Sequence, residues 1–263
     1  MLGAIIGDVV GSRFEFNNIK TKEFELVAEE SEFTDDSVMT VAVADVLVNG
    51  NPHNKDEIID TLKKWGKKYP SAGYGGHFYG WVLGSDREPY NSCGNGSAMR
   101  VSAAGWVGQT EEEVIDLASR VTEVTHNHRE GMKGAIVTAL SIFYARTRKS
   151  KEFLKEFMLK EYPEIKKLDY EELRRTYVHG KEICQVTLPQ ALYCFLISNS
   201  FEDCLRTTIS IGGDCDTTAA ISCAIAEAYY KDIPADLVQA VRKKLTPEML
   251  EVVDKLESFK KGI

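Results

Sequence analysis

Apolar side chains recur along most of this chain at intervals of three or four residues, the spacing that places them on one face of a helix. Residues 56–68 and 111–124 show this one-sided pattern, and residues 37–48 are apolar on nearly every side, which predicts a buried central helix. Further helices are predicted over residues 132–147, 151–161, 186–198, 201–210, 217–230, 235–244 and 247–259. The pattern predicts an all-α protein of about ten to twelve helices.

Strand patterns are scarce by comparison. Only residues 22–28 alternate between apolar and polar positions, and weakly, and there is no regular alternation of strands with helices as in a doubly wound sheet. No linker rich in proline, glycine or serine divides the chain, and no internal repeat is visible. We therefore expect residues 1–263 to form one compact domain, a single bundle of helices.

Composition and charge narrow the class of protein. The chain has 263 residues, of which 43% are hydrophobic and 27% charged, as in ordinary globular domains. A net charge of −8 disfavours nucleic-acid binding by bulk electrostatics but is compatible with a small anion bound by backbone amides. No apolar run approaches the roughly 20 residues of a membrane span, and no secretory signal is visible. We expect a cytoplasmic protein without a membrane partner, and a monomer by default.

Two acidic clusters stand immediately before apolar helices. Residues 33–37 read FTDDS, and residues 212–217 read GGDCDT. Helix capping explains either cluster alone, because Thr and Asp are good caps and acids suit the first helical turn. Four carboxylates exceed what capping requires, and oxygen ligands without His or Cys suit magnesium, manganese or calcium. The alternative to capping is that the two helix starts meet and hold a pair of divalent cations.

Other candidate residues are ambiguous from their types alone. The segment CGNGSAMR at 93–100 is either a tight turn or a turn whose free amides bind a phosphate, and GYGG at 73–76 is similar. His126 stands at a predicted helix boundary, where a capping or core role competes with ligand contact. Glu15 reads as a surface glutamate.

Taken together, these segments resemble the ADP-ribosylglycohydrolase family. The matching stretches, in family order, are GAIIGDVVGSRFE at 3–15, FTDDSVMT at 33–40, GNGSAMR at 94–100, TH at 125–126 and IGGDCDTTAA at 211–220. The resemblance implies a compact all-α fold with a binuclear centre of two Mg²⁺ or Mn²⁺ ions.

The resemblance also implies roles for individual residues. The metal ligands would be Glu15, Thr34, Asp35, Asp36, Asp214, Asp216 and Thr217, with Asp216 serving both ions. The ADP-ribose pocket would include Gly75 and Gly76 near the diphosphate, Ser92, Gly94, Asn95 and Gly96 in the glycine turn, and His126 beside the ribose. Some relatives carry an aromatic residue where this chain has Cys93, so adenine stacking would have to come from elsewhere, and Tyr90 is one candidate.

The activity implied is hydrolysis that releases ADP-ribose from an ADP-ribosylated protein side chain or a small conjugate. The hypothesis is attack of metal-bound water at ribose C1″, with Glu15 or Asp214 as the catalytic base. Residues 23–32 would be a mobile flap or a plain solvated loop, and for an arginine-linked substrate Asp86 or Glu88 could face the guanidinium of the leaving group. The linkage cleaved is left open, and an ADP-ribose-binding module without turnover is the alternative function.

Overall fold

A computed structural model describes residues 1–262 of the protein. Over these residues the chain forms fifteen α-helices, and its single β-bridge joins Gly94 and Ile183. The helices are α1 Leu2–Gly11, α2 Asp35–Asn49, α3 Lys55–Lys68, α4 Gly76–Leu83, α5 Gly96–Met99, α6 Ser102–Val107, α7 Glu111–Glu123, α8 Arg129–Arg146, α9 Lys151–Glu161, α10 Tyr170–Thr176, α11 Cys184–Ile197, α12 Phe201–Ile211, α13 Cys215–Tyr230, α14 Ala235–Arg242 and α15 Pro247–Lys260, with short 3-10 helices at Ser12–Phe14 and Pro163–Lys167.

Helices α1 and α13 form the centre of the fold. Every residue of α1 is buried, and so is every residue of α13 from Cys215 to Ala228. Three glycines of α1, spaced four residues apart, lie on the backbone of α13: Gly3, Gly7 and Gly11. A side chain at any of them would overlap α13, so the glycines allow the two backbones to approach closely. This contact fixes the start of α13 against the end of α1.

The remaining helices pack around this pair. Helix α2 contacts α1, α3, α6 and α15, and α13 also contacts α8, α11 and α12. One continuous cluster of buried apolar side chains draws on α1, α2, α8, α13 and most of the other helices. The structure is therefore all-α with one main core, as the hydrophobic pattern predicted, and a small second cluster is formed by Leu173, Cys194 and Ile211. None of the helices in the described residues is long and apolar enough to cross a membrane.

All ten helices predicted from periodicity are present, and five more were not predicted. Helix α1 has no polar face, because it is buried on all sides, and its glycines weaken the helical signal in the sequence further. Helices α4, α5, α6 and α10 have eight residues or fewer, too few to show a period. Residues 22–28 form no strand: they follow an irregular path in which Phe24 packs edge-on against Phe14.

The close contact between α1 and α13 predicts a strong position dependence for added methyl groups. We expect Gly7→Ala to destabilise the protein by about 1–3 kcal/mol, because its Cβ would overlap the backbone of Ala219. The matched control is Gly80→Ala in α4, where nothing lies within 4 Å of the added carbon. Alanine there should be neutral or stabilising by up to about 1 kcal/mol. Urea unfolding of the two variants measures the difference, and equal stabilities would contradict the packing described here.

Candidate metal centre and substrate pocket

The starts of α2 and α13 open onto the same space. Thr34 caps α2, its Oγ1 accepting a hydrogen bond from the Asp36 amide at 3.3 Å. The turn before α13 contains Gly212 and Gly213, with φ of +75° and +70°, where a residue with a side chain would be strained. Asn18 fixes this turn by donating from Nδ2 to the Gly213 carbonyl and accepting from the Gly213 amide.

Carboxylates from distant parts of the chain meet in this space. Oxygens of Asp8, Asp36 and Asp216 lie within 4.8 Å of one another, and so do oxygens of Glu15, Asp214 and Asp216. Asp216 belongs to both groups, the position expected of a residue that serves two ions. The structure thus brings the two acidic clusters of the sequence together across one crevice.

Asp8 is a member of this centre that sequence reasoning missed. Its carboxylate accepts hydrogen bonds from the amides of Thr34 and Ser37, both at 3.0 Å, and from both of their hydroxyls. These contacts tie α1 to the start of α2. They also occupy the Thr34 hydroxyl, which donates to Asp8 at 2.7 Å, so metal ligation by Thr34 stays a prediction. The one signal for Asp8 in the sequence is an acid inside an otherwise apolar helix.

Two oxygens of the centre are buried and lack any hydrogen-bond partner among residues 1–262: Asp36 Oδ1 and Asp216 Oδ1. The other oxygen of Asp36 accepts from the Thr217 hydroxyl at 3.0 Å, and Asp214 Oδ2 accepts from Asn95 Nδ2 at 2.6 Å. A buried carboxylate oxygen without a donor is costly unless a cation or proton satisfies it. Asp36 Oδ1 and Asp216 Oδ1 are therefore the atoms at which a cation or a proton would be bound.

The charges of the centre are not neutralised by the protein. Within residues 1–262, no Lys or Arg forms an ion pair with Asp8, Asp35, Asp36 or Asp216. Burial, with repulsion from neighbouring carboxylates, raises the pKa of Asp35 to about 8 and the pKa values of Asp36 and Asp216 well above the usual range. Such a set of hard oxygen donors fits one or two divalent cations such as Mg²⁺ or Mn²⁺.

A pocket of about 410 Å³ opens directly onto the carboxylates. All the residues predicted to contact ADP-ribose line it: Gly75, Gly76, Ser92, Gly94, Asn95, Gly96 and His126. The predicted metal ligands Glu15, Asp35, Asp36, Asp214, Asp216 and Thr217 line it as well. Thr34 instead borders a neighbouring cavity that shares Glu15 and Asp35 with this pocket. Tyr90 also lines the pocket, with its ring 6.1 Å from that of His126, and adenine stacking by Tyr90 stays a prediction.

The glycine turn of the pocket is held from both sides. The Ser92 hydroxyl accepts from the Gly94 amide at 3.1 Å, and the Glu182 carbonyl accepts from the Asn95 amide at 3.1 Å. Helix α5, which follows the turn, has only four residues, so its dipole contributes little to binding an anion. Any anion contact here would come from individual amides and side chains.

The acids expected to face a leaving group are placed differently from the prediction. Asp86 and Glu88 are not among the residues that line the pocket, whereas Glu182 and His179 are. His179 Nε2 lies 3.3 Å from Glu15 Oε1, and its Nδ1 lies 3.0 Å from Glu182 Oε1. The expectation for Asp86 and Glu88 was wrong, because closeness in sequence to the glycine turn does not determine whether a side chain lies at the pocket. Nothing in the pattern around residues 177–183 indicated a site.

The predicted flap, residues 23–32, has no helix or strand, and side chains outside it hydrogen-bond to its backbone at several points, among them Arg13 at the Glu25 carbonyl and Ser12 at the Glu32 amide. Arg206 Nη1 donates to the carbonyl of Phe24 at 2.8 Å, and Lys244 Nζ donates to that of Glu29 at 2.8 Å. Both donors come from helices or segments outside the flap. Movement of this loop stays a hypothesis.

A model of the ADP-ribosylglycohydrolase family matches residues 1–261. The chain belongs to the ADP-ribosylglycohydrolase family. An ADP-ribosylhydrolase ARH3 from Xenopus tropicalis is 26% identical, over 88% of this chain and 85% of the relative. The ADP-ribosyl-[dinitrogen reductase] glycohydrolase of Rhodospirillum rubrum is 23% identical, over 97% of this chain and 93% of the relative.

A solved structure described as an ADP-ribosylglycohydrolase-related protein complex shares the fold. It superposes with a TM-score of 0.69 over 98% of this chain and 97% of its own, at 24% identity. The family resemblance noted from the motifs is confirmed, and with it the all-α family fold.

The raised pKa values predict how stability changes with pH. Without metal, the folded chain holds protons on Asp35, Asp36 and Asp216 that the unfolded chain releases above about pH 4. The free energy of unfolding should therefore fall as pH rises from about 5 to 8, and each kcal/mol lost should lower Tm by about 2–4 °C. Thermal melts in chelator should show this decline, and millimolar Mg²⁺ or Mn²⁺ should flatten it because cations replace the protons. A decline unaffected by either cation would show that the carboxylates do not bind them.

Proposed function

We propose that this protein is a binuclear metal-dependent hydrolase that releases ADP-ribose from an ADP-ribosylated protein side chain or a small ADP-ribose conjugate. The observation that carries the proposal is the pair of orphaned oxygens, Asp36 Oδ1 and Asp216 Oδ1, among carboxylates that no basic side chain neutralises. Family membership supplies the reaction class, since the relatives named above are glycohydrolases or hydrolases of ADP-ribosyl groups.

Two sets of ligands would hold the cations. Asp8, Asp36 and Asp216 form one set, and Glu15, Asp214 and Asp216 form the other. Asp35 and Thr217 border the same space. Bound Mg²⁺ or Mn²⁺ would supply Lewis-acid chemistry, lowering the pKa of a water and polarising ribose hydroxyls.

The protein's own groups supply the rest of the chemistry. Hydrolysis at ribose C1″ needs a base that takes a proton from water, and we assign this role to Glu15 or Asp214, both of which line the pocket. Burial raises the pKa of Glu15 above its ordinary value, and His179 lies against one of its oxygens. Asn95 holds Asp214, which lines the pocket, by donating a hydrogen bond from Nδ2 to its Oδ2.

The pocket is suited to a ligand with a polar, flexible middle and an aromatic end. Backbone at Gly75, Gly76, Gly94 and Gly96 borders it without side chains that would hold a diphosphate away. Polar and charged side chains make up more than half of the lining residues, and Tyr90 offers an aromatic face. The half-exposed acid Glu182 stands at the pocket, where it would meet a positively charged leaving group.

The central test is removal of the shared ligand. We expect Asp216→Asn to lower magnesium- or manganese-dependent release of ADP-ribose by at least about 100-fold, because the amide keeps the shape and loses the charge. Arginine-linked, serine-linked and O-acetyl ADP-ribose substrates, assayed with cation and with chelator, measure the loss and identify the linkage. Asp236→Asn, an exposed residue in the first turn of α14, is the matched control and should keep full activity.

The same pair of variants gives a readout that does not depend on turnover. Saturating cation at 100 times Kd should stabilise the parent protein by about 2.7 kcal/mol and Asp236→Asn equally, but Asp216→Asn much less. Full activity in Asp216→Asn would refute the two-cation scheme. Tight binding of ADP-ribose by calorimetry, with no turnover of any substrate, would instead favour the binding module of the same fold.

A further inference from the structure

Arg100 is a buried cation beside the pocket with no acidic partner among residues 1–262. It is 1% exposed, and its Nη2 donates to the Thr125 hydroxyl at 2.6 Å. Its Nε has no hydrogen-bond partner in the described residues. A guanidinium only donates, so Thr125 Oγ1 must act as the acceptor in this contact.

The Thr125 hydroxyl can therefore donate its own hydrogen bond to another group, and two acceptors lie within hydrogen-bond distance. His126 Nδ1 lies 2.8 Å from Thr125 Oγ1, and the Thr122 carbonyl lies 3.5 Å away. That carbonyl already accepts from the amides of Thr125 at 3.1 Å and His126 at 2.9 Å. The shorter distance and the occupied carbonyl both favour donation to His126 Nδ1.

An imidazole that accepts at Nδ1 must carry its proton at Nε2 if it is neutral. Burial, with the nearby charge of Arg100, lowers the pKa of His126 well below its usual range, so the ring is neutral at physiological pH. Nε2 faces the glycine turn: a Cβ added at Gly96 would lie 3.2 Å from it, and one at Gly94 would lie 3.5 Å away. No residue in 1–262 hydrogen-bonds to Nε2, which leaves it directed at the pocket.

We propose that Arg100 and Thr125 form a hydrogen-bond relay that fixes His126 as the neutral Nε2–H tautomer, so that it donates to an oxygen of ADP-ribose. Arg100 and Thr125 are positioning residues in this scheme, and His126 is the group that touches the ligand. The part concerning ADP-ribose rests on the proposed function, while the tautomer does not. Arg100, a buried cation without a carboxylate partner, thereby determines through Thr125 which nitrogen of His126 carries the proton.

Nitrogen-15 NMR of histidine-labelled protein tests the relay directly, with the His126 signal assigned by its absence in His126→Gln. We expect one neutral tautomer from about pH 6 to pH 9, with Nδ1 unprotonated and Nε2 protonated. Thr125→Ser should preserve this spectrum, whereas Thr125→Val should shift the population towards the Nδ1–H form. A parent protein with Nδ1 protonated, or with a charged His126 ring, would overturn the relay without any variant.

Calorimetry with free ADP-ribose tests the donor role. Thr125→Val should weaken binding by about tenfold, the effect of losing one hydrogen bond, and Thr125→Ser should stay within about twofold. Equal losses in the two variants, or a loss in Thr125→Val with an unchanged His126 tautomer, would overturn the proposal. If the parent protein binds no ADP-ribose, the proposed function and the ligand part of this inference both fail, and the NMR spectrum still decides the relay.

Discussion

Six carboxylates lie around one crevice in the interior of this protein, and no basic side chain among the described residues pairs with the most buried of them. Repulsion and burial make such an arrangement unfavourable unless protons or cations compensate it. Elsewhere in the fold, a buried carboxylate is neutralised by ion pairs. Glu227, equally buried, is paired with Lys260 and the N-terminal amine, and these cations lower its pKa to about 2. The contrast supports the proposal that divalent cations bind in the crevice.

The packing of the core holds the crevice in shape. Gly11, at the end of α1, lies on the backbone of Asp216, and Asp8 stands one turn earlier on the same helix. Hydrogen bonds from Thr34 and Ser37 to Asp8 then attach the start of α2 to that helix. Asp8, Asp36 and Asp216 are therefore positioned by three helices packed against one another, whereas the half-buried Glu15 follows the 3-10 helix at Ser12–Phe14.

Much of this arrangement could be predicted from the sequence, and the limits have physical causes. Long amphipathic helices were visible from their period, and the convergence of Asp36 with Asp216 followed from a duplication that capping alone did not explain. Helix α1 and Asp8 were missed because a helix buried on every side shows no polar face. His179 and Glu182 were missed because their position depends on how residues 177–183 fold back over the pocket. The position of the proton on His126 could not be predicted from the sequence, because the argument for it depends on distances among Arg100, Thr125 and Thr122 in the folded chain.

The most direct test of the account is the location of bound manganese by anomalous diffraction from crystals grown with Mn²⁺. The account predicts two peaks that share Asp216, one also ligated by Asp36 and the other by Asp214. Peaks only at surface carboxylates, with Asp36 and Asp216 hydrogen-bonded to each other through a shared proton, would contradict it.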